Sequence, residues 1–408
     1  MKKSLILILI ISIFLSACTQ HATEKDQPYL IMVSLDGFRW DYTDSVASPS
    51  FDAIEKMGVK AESMQVSFPS KTFPNHYTLV TGLVPDHHGI VNNSFFAPNY
   101  NEVYSLGNRK AVENGKFYDG EPIWNTAEKQ GMKAASYFWV GSEANIQDMH
   151  PSIWKKYDHH FDFYQRVDSV ISWLSLEEEN RPHMITWYVH EPDGVGHGFG
   201  PHSHQADSVI IELDKLLAYF MKKLEAHPLA GKVNVIVTAD HGMGPTSASK
   251  TININEIVKS HWAEHIVGGN PIYNIQAKPG FKDSIYMALS KVDGLKIYEN
   301  PNLPEHLNYG TNPRCLDFTV VADSGWCIIK RKPKMNYPNG GTHGYDIHNK
   351  DMNAIFYAYG PAFKKGYQQE MFKNVSVYPL ICEILDLVPA KNDGNLKEVQ
   401  GMLVSDKE

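Results

Sequence analysis

Four stretches of the chain are almost unbroken runs of apolar, often β-branched residues: 29–35, 184–189, 233–238 and 354–359. Runs of that length without polar alternation predict strands buried on both faces, as in a parallel sheet covered by helices. Between the second and third, Ile210, Leu213, Leu216, Leu217 and Phe220 recur at helical spacing, which predicts an amphipathic helix over 205–224. Alternating strands and helices predict an α/β fold with a central, largely parallel sheet flanked by helices on both faces. Residues 260–345 are richer in Gly, Pro and Asn and read as loops and short strands capping that sheet, not as an independent domain. No repeat, low-complexity tract or second hydrophobic segment interrupts the pattern.

The N-terminus follows a different pattern. Lys2 and Lys3 precede an apolar run from 5 to 15, and Leu15-Ser16-Ala17-Cys18 follows. The run is short for a membrane span and its flanks are those of a leader, so 1–17 reads as a bacterial lipoprotein signal. Cys18 would then be the lipidated anchor to a membrane, and 18–27 a polar tether. This makes the expected product an exported bacterial lipoprotein on the periplasmic or cell-surface side. Residues 28–392 are left as one catalytic domain, with 393–408 as a C-terminal tail. The chain carries a net charge of −8 and no Lys/Arg run, which argues against a stable nucleic-acid partner. Cys315 and Cys327 flank a turn and could form a disulfide, with three buried thiols as the equal alternative; Cys382 sits in an apolar stretch.

The placement of acids and histidines changes the picture from fold to chemistry. Asp36 and Asp240 fall just past the ends of two expected strands, and Asp193 four residues past a third. All three thus lie at the carboxyl edge of one sheet, where open α/β folds place their sites. The strings Asp193-Gly-Val-Gly-His197, Asp240-His241-Gly242 and Thr342-His343-Gly344 add three imidazoles. Three carboxylates and three imidazoles suit a pair of zinc ions, and a zinc pair suits hydrolysis of phosphate esters. The glycines between Asp193 and His197 point to a tight loop more than to a regular helix. Thr72, in Lys71-Thr72-Phe73-Pro74-Asn75-His76, lies where a loop enters a helix. It is either an N-cap or a nucleophile at a helix N-terminus that favours a phosphate.

Lys71-Thr72-Phe73-Pro74-Asn75-His76, Asp193-x-x-Gly-His-x-x-Gly-Pro201 and Asp240-His241-Gly242 together resemble the nucleotide pyrophosphatase/phosphodiesterase family of the alkaline phosphatase superfamily. So do Gly120-Glu-Pro-Ile-Trp124, Phe138-Trp139 and Tyr359-Gly-Pro361. The resemblance implies an alkaline-phosphatase-like sheet and two Zn²⁺. One would be held by Asp193, His197 and His343, the other by Asp36, Asp240 and His241 with Thr72. It makes Thr72 the nucleophile of a phosphothreonine intermediate and Asn93 a donor to a phosphate oxygen. Phe73 and Tyr188 would sandwich a nucleobase, with Leu106, Trp139 and Tyr157 lining the cavity, and a nucleoside 5′-monophosphate would leave. Val140 stands where nucleotide-preferring relatives often have proline, so choline or lipid diesters stay open as substrates, as does a phosphomonoester. A sulfatase would need a modified Cys or Ser at position 72. A zinc-binding lipoprotein without catalysis would have no use for Thr72 or Asn93. His76, His87, His88, His202 and His204 match no ligand position and are expected at the surface or satisfied in the core. His190 stands where relatives often carry an acid.

Overall fold

The computed structural model describes residues 27–331 and 340–405. Its main sheet has eight strands: β1 (Tyr29–Leu35), β2 (Val59–Ala61), β3 (Ala134–Tyr137), β4 (Ile153–Lys155), β5 (Met184–Val189), β6 (Val233–Thr238), β7 (Phe356–Tyr359) and β8 (Tyr367–Gln369). They lie in the order β8–β2–β7–β6–β1–β5–β3–β4. β7 alone runs against its neighbours, so the sheet is mostly parallel, as expected. Every residue of β1, β5 and β6 is buried, which is why their sequences are apolar without alternation.

Six helices matter for the site: α1 (Pro49–Met57), α2 (Thr72–Thr81), α3 (Phe163–Leu174), α4 (Asp193–Phe199), α5 (His204–Glu225) and α6 (Val377–Ile384). Consecutive strand residues point to opposite faces. In β5, Trp187 meets Phe220 of α5 with ring centroids 5.6 Å apart, whereas Tyr188 meets His76 of α2 at 5.0 Å. Helix α5 packs with α1 and α3, and α2 packs with α6, so the two groups cover opposite faces. α5 spans the stretch its apolar spacing foretold, and Ser203 caps it by accepting from the Ala206 N–H at 3.1 Å.

Residues 260–345 are more ordered than loops and short strands. A four-stranded antiparallel sheet, Ala263–Gly269, Ile272–Ala277, Phe318–Ala322 and Leu295–Glu299, carries the helix Lys282–Leu289. The three cysteines there and beyond, Cys315, Cys327 and Cys382, are free buried thiols with no disulfide among them. Near the C-terminus, Val399 and Met402 are fully buried and the Val404 N–H bonds Ala362 O at 2.9 Å, so this stretch packs onto the domain.

Candidate active site at the carboxyl edge of the sheet

Register alone brings the first two acids together. Ser34 of β1 pairs with Thr238 of β6, so Asp36 and Asp240, two residues further along each strand, emerge side by side. The Asp36 N–H bonds Val189 O of β5 at 2.9 Å, and the Gly37 N–H donates to Asp240 Oδ1 at 3.1 Å. Gly37 has φ +70°, and a Cβ there would sit 3.0 Å from the Asp193 Cα, so glycine is required for the third acid to approach.

Asp193 and His197 lie on a helix, not in the expected loop. α4 is closed by Gly196 N–H to Pro192 O and Gly200 N–H to Gly196 O, both 2.9 Å, which sets Asp193 and His197 one turn apart on one face. Close packing instead of a turn explains Gly196 and the loop facing it: a Cβ on Gly196 would lie 3.0 Å from Met243 Cε, and one on Gly341 would lie 2.6 Å from Gly196 O.

Two ligand-like groups result, Asp36 with Asp240 and His241, and Asp193 with His197 and His343. They adjoin, since the His241 and His343 rings stack at 3.5 Å. All three imidazoles are oriented the same way. Nδ1 of His197 bonds Gly341 O at 2.9 Å, Nδ1 of His241 bonds Gly242 O at 2.8 Å, and Nδ1 of His343 bonds Ser70 O at 2.8 Å. A carbonyl only accepts, so each Nδ1 carries the proton and each Nε2 presents a lone pair to the site. The carboxylates complete the fit. Asp36 Oδ1 and Asp193 Oδ1 are buried without a hydrogen-bond partner, which is costly unless cations occupy the space beside them. Burial, then the charges of Asp240 and Asp193, push the Asp36 carboxyl well up, while burial and His241 push His343 well down. Those shifts reflect like charges crowded in a buried space with no cation, and carboxylates that ionise beside a cation together with imidazoles that present Nε2 are the donor set of a zinc-class ion.

Thr72 is the first residue of α2, and Lys71 occupies the N-cap position, so Thr72 is not a cap. Its Oγ1 lies 3.2 Å from His241 Nε2. The Phe73 N–H is taken by Asn93 Oδ1 at 2.9 Å, and the Asn75 N–H bonds Lys71 O at 3.1 Å. Pro74 has no N–H, which leaves that of Thr72 as the first-turn donor without a described partner, at a helix end that favours an anion. A cavity of about 420 Å³ opens beside Thr72 and is walled by Phe73, Asn93, Leu106, Trp139, Tyr157 and Tyr188. Thus all six residues expected to contact substrate do share one cavity.

Several residues escaped sequence reasoning. The Tyr188 hydroxyl donates to Asp36 Oδ2 at 2.6 Å, so one side chain both walls the cavity and braces an acid. His76, fully buried, has Nε2 2.9 Å from Ser34 Oγ and Nδ1 3.0 Å from Thr72 O and 3.1 Å from Asp240 Oδ2. It is satisfied, as expected, but by the site itself. Lys71 points inward and donates to Asn270 O, and burial lowers its ammonium to about 8. Arg109 pairs with Glu143 across the cavity wall. Of these, Lys71 and His76 lay inside a quoted motif and Tyr188 was expected only as a cavity wall, whereas nothing in the sequence pointed to Arg109 or Glu143. His190 stacks on His159 at 3.9 Å, and burial with that neighbour lowers it to about 4, so no acid-like charge stands beside Asp193 there.

Residues 30–346 match the family model of type I phosphodiesterase / nucleotide pyrophosphatase. The chain belongs to that family. Human ectonucleotide pyrophosphatase/phosphodiesterase family member 5 is 34% identical over 407 residues, 99% of this chain and 84% of the relative. A venom phosphodiesterase of Crotalus durissus collilineatus is 36% identical over 393 residues, 93% of the chain but 47% of that longer protein. Among solved structures, murine family member 5, described as inactive with a threonine-to-alanine substitution and in complex with AMP, superposes with TM-score 0.88 at 34% identity. The match covers 93% of this chain and all of the murine one. The human member 5 structure gives the same TM-score over 92% of this chain. The fold is therefore the alkaline-phosphatase-like fold of these enzymes, and this chain is a phosphodiesterase-family enzyme with candidate metal-binding groups.

The family corrects the expected location. The relatives are animal ectonucleotide pyrophosphatases/phosphodiesterases and venom phosphodiesterases, not bacterial lipoproteins on a periplasmic or cell-surface face. A short apolar run followed by small residues and a cysteine is too little pattern to fix a destination, whereas the likeness spans almost the whole chain. The signal and the Cys18 anchor lie outside the described residues, as does the tether up to residue 26. Among the described residues no helix is long and apolar enough to cross a membrane.

Proposed function

We propose that this enzyme hydrolyses phosphodiester and pyrophosphate bonds of nucleotides through a phosphothreonine intermediate, with two zinc ions held by the two Asp/His sets. One observation carries the reading: Thr72 Oγ1 sits at a helix N-terminus, 3.2 Å from His241 Nε2, where the ligand-like cluster meets an aromatic-walled cavity. The murine relative described as bound to AMP supports a nucleotide as the ligand.

Asp193, His197 and His343 would hold one ion, and Asp36, Asp240, His241 and Thr72 the other. Bound zinc supplies Lewis acidity, lowering the pKa of a hydroxyl beside it and neutralising charge on the reacting phosphoryl group. Phe73 and Tyr188 clamp the base and set the phosphorus in front of Thr72, converting attack into an oriented, near-unimolecular step. Thr72 Oγ1 gives up its proton to solvent and forms a bond to phosphorus as the ester oxygen opposite it departs with its electron pair and takes a proton from water where its basicity requires one. The Asn93 amide and the Thr72 N–H donate to the equatorial oxygen, each worth on the order of 3 kcal/mol. Water entering on the vacated side then breaks the P–Oγ1 bond and releases a nucleoside 5′-monophosphate with the threonine hydroxyl restored.

Replacing Thr72 with Ala tests this reading. Turnover of a chromogenic nucleotide diester should fall by at least about a thousandfold, roughly 4 kcal/mol of barrier. Because Lys71 and not Thr72 is the cap, stability should drop by less than the ~1 kcal/mol of a lost N-cap. Thr72→Ser should retain measurable turnover, and the wild type should prefer the diester to a chromogenic monoester or sulfate. Full turnover in Thr72→Ala, or faster release from glycerophosphocholine than from any nucleotide, would refute respectively the nucleophile and the substrate.

A further inference from the structure

Away from the sheet edge, the described residues hold one more group of metal-type donors. His306 Nε2 lies 3.0 and 3.2 Å from the two oxygens of Asp346, and the His348 ring stacks on the His306 ring at 3.9 Å, 8° from parallel. The His348 N–H donates to Asp346 Oδ1 at 2.9 Å, which folds the short Asp346-Ile347-His348 turn back on itself and brings its imidazole over that of His306. One donor atom from each residue lies within 4.8 Å of the other two.

We propose that His306, Asp346 and His348 form a third metal site, separate from the two sets around Thr72, that takes a transition-metal dication of the zinc class. Donors bonded to one tetrahedral ion at about 2.0–2.2 Å lie roughly 3.3–3.6 Å from one another. The His306–Asp346 spacings of 3.0 and 3.2 Å lie just below that range, and those of 3.4 Å (His197–Asp193) and 3.5 Å (His343–Asp193) lie within it. Two imidazoles and one carboxylate favour zinc or copper(II) over magnesium or calcium, which prefer all-oxygen cages. A simple ion pair would account for His306 and Asp346 but gives no role to the stacked His348. The side chains of His306 and Asp346 are 30% and 31% exposed, so an ion can enter from solvent, with water completing its shell.

The position gives the site a consequence. His306 lies in the turn Glu305–Leu307, between two strands of the small antiparallel sheet, whereas Asp346 and His348 follow His343 by only a few residues. An ion there clips the small sheet to the loop that carries His343.

Equilibrium dialysis of the full chain against micromolar free zinc, with bound metal counted by mass spectrometry, tests the site. The wild type should bind one more ion per chain than the His306→Ala/His348→Ala variant, and zinc should raise its Tm further. Turnover of a nucleotide diester at saturating zinc should stay within about twofold of wild type. Should the double variant fold poorly, His348→Asn, an exposed change, is read by the same count. Equal zinc counts and equal Tm responses overturn the proposal. So does a variant that loses turnover together with the ion, because the cluster would then serve His343 and not a site of its own.

Discussion

Asp36, Asp240 and His241 stand on strand ends at the centre of the sheet, and their side chains are 4%, 0% and 0% exposed. Asp193 and His197 ride on the short helix α4, and His343 on a loop arriving from the small sheet; here the exposures are 20%, 39% and 3%. The first set is fixed by strand register and by His76, Tyr188 and the Gly37 N–H, all of them buried contacts. The second is held by one imidazole-to-carbonyl bond per histidine, His197 to Gly341 and His343 to Ser70. The difference matches a division of labour in the proposed mechanism. The group beside the nucleophile needs a rigid, water-poor frame, whereas the group beside the departing oxygen needs an opening through which product leaves and water arrives.

The sharpest break of that comparison is a pair of ligand substitutions. Asp240→Asn should abolish turnover by about a thousandfold or more, near 4 kcal/mol of barrier, and added zinc should not restore it, because a buried acid contacted by His76 and His241 has lost its charge. His197→Ala should also cost activity, on the order of a hundredfold, but excess zinc should recover much of it at this open position. Equal rescue of both variants, followed by steady-state assay across a zinc titration, would erase the distinction.

Next in size is Tyr188. Loss of a base–aromatic contact is worth roughly 1–3 kcal/mol, so Tyr188→Ala should lower kcat/KM for a dinucleotide by about five- to 150-fold. A small aryl diester should lose only what the missing bond to Asp36 costs. Tyr188→Phe keeps the ring and drops the hydroxyl, and should lower both substrates alike, by about tenfold. A Phe variant that harms only the dinucleotide would show that the hydroxyl serves the base and not the buried set.

The smallest effect is one of kinetics. Under a chelator, the two ions of the sets around Thr72 should leave in separate phases, the half-open set before the buried one, and activity should be lost with the first of these two. A single phase carrying both ions would mean that the sets exchange as one unit.

The central strands were legible because burial on both faces demands unbroken apolar runs, and 29–35, 184–189 and 233–238 became β1, β5 and β6 without a shift of boundary. The outer strands were not: β2, β4 and β8 are three residues each, too short to show a period. α4 was misread because its glycines suggest a turn, and nothing local reveals that Gly341 presses against it. In 260–345 the glycines and asparagines mark the bends of a real sheet and mask its strands. At the site, every residue expected as a metal ligand, nucleophile or substrate contact lies in one of the two Asp/His groups, beside them or around the cavity. His76 went unassigned because its partner Asp240 is remote in sequence, and Arg109 and Glu143 because an ion pair across a cavity leaves no string to read.

The hydroxyl of Tyr188 makes selectivity and reactivity inseparable at one position. Any residue placed there to welcome a different base also loosens an acid of the buried set, so variants screened for new specificity at 188 would arrive slow. Leu106, Val140 and Tyr157 wall the same cavity without a hydrogen bond to any of the Asp/His ligands. Retargeting the enzyme should therefore keep Tyr188 and diversify those three, leaving the reactive half of the site as it was built.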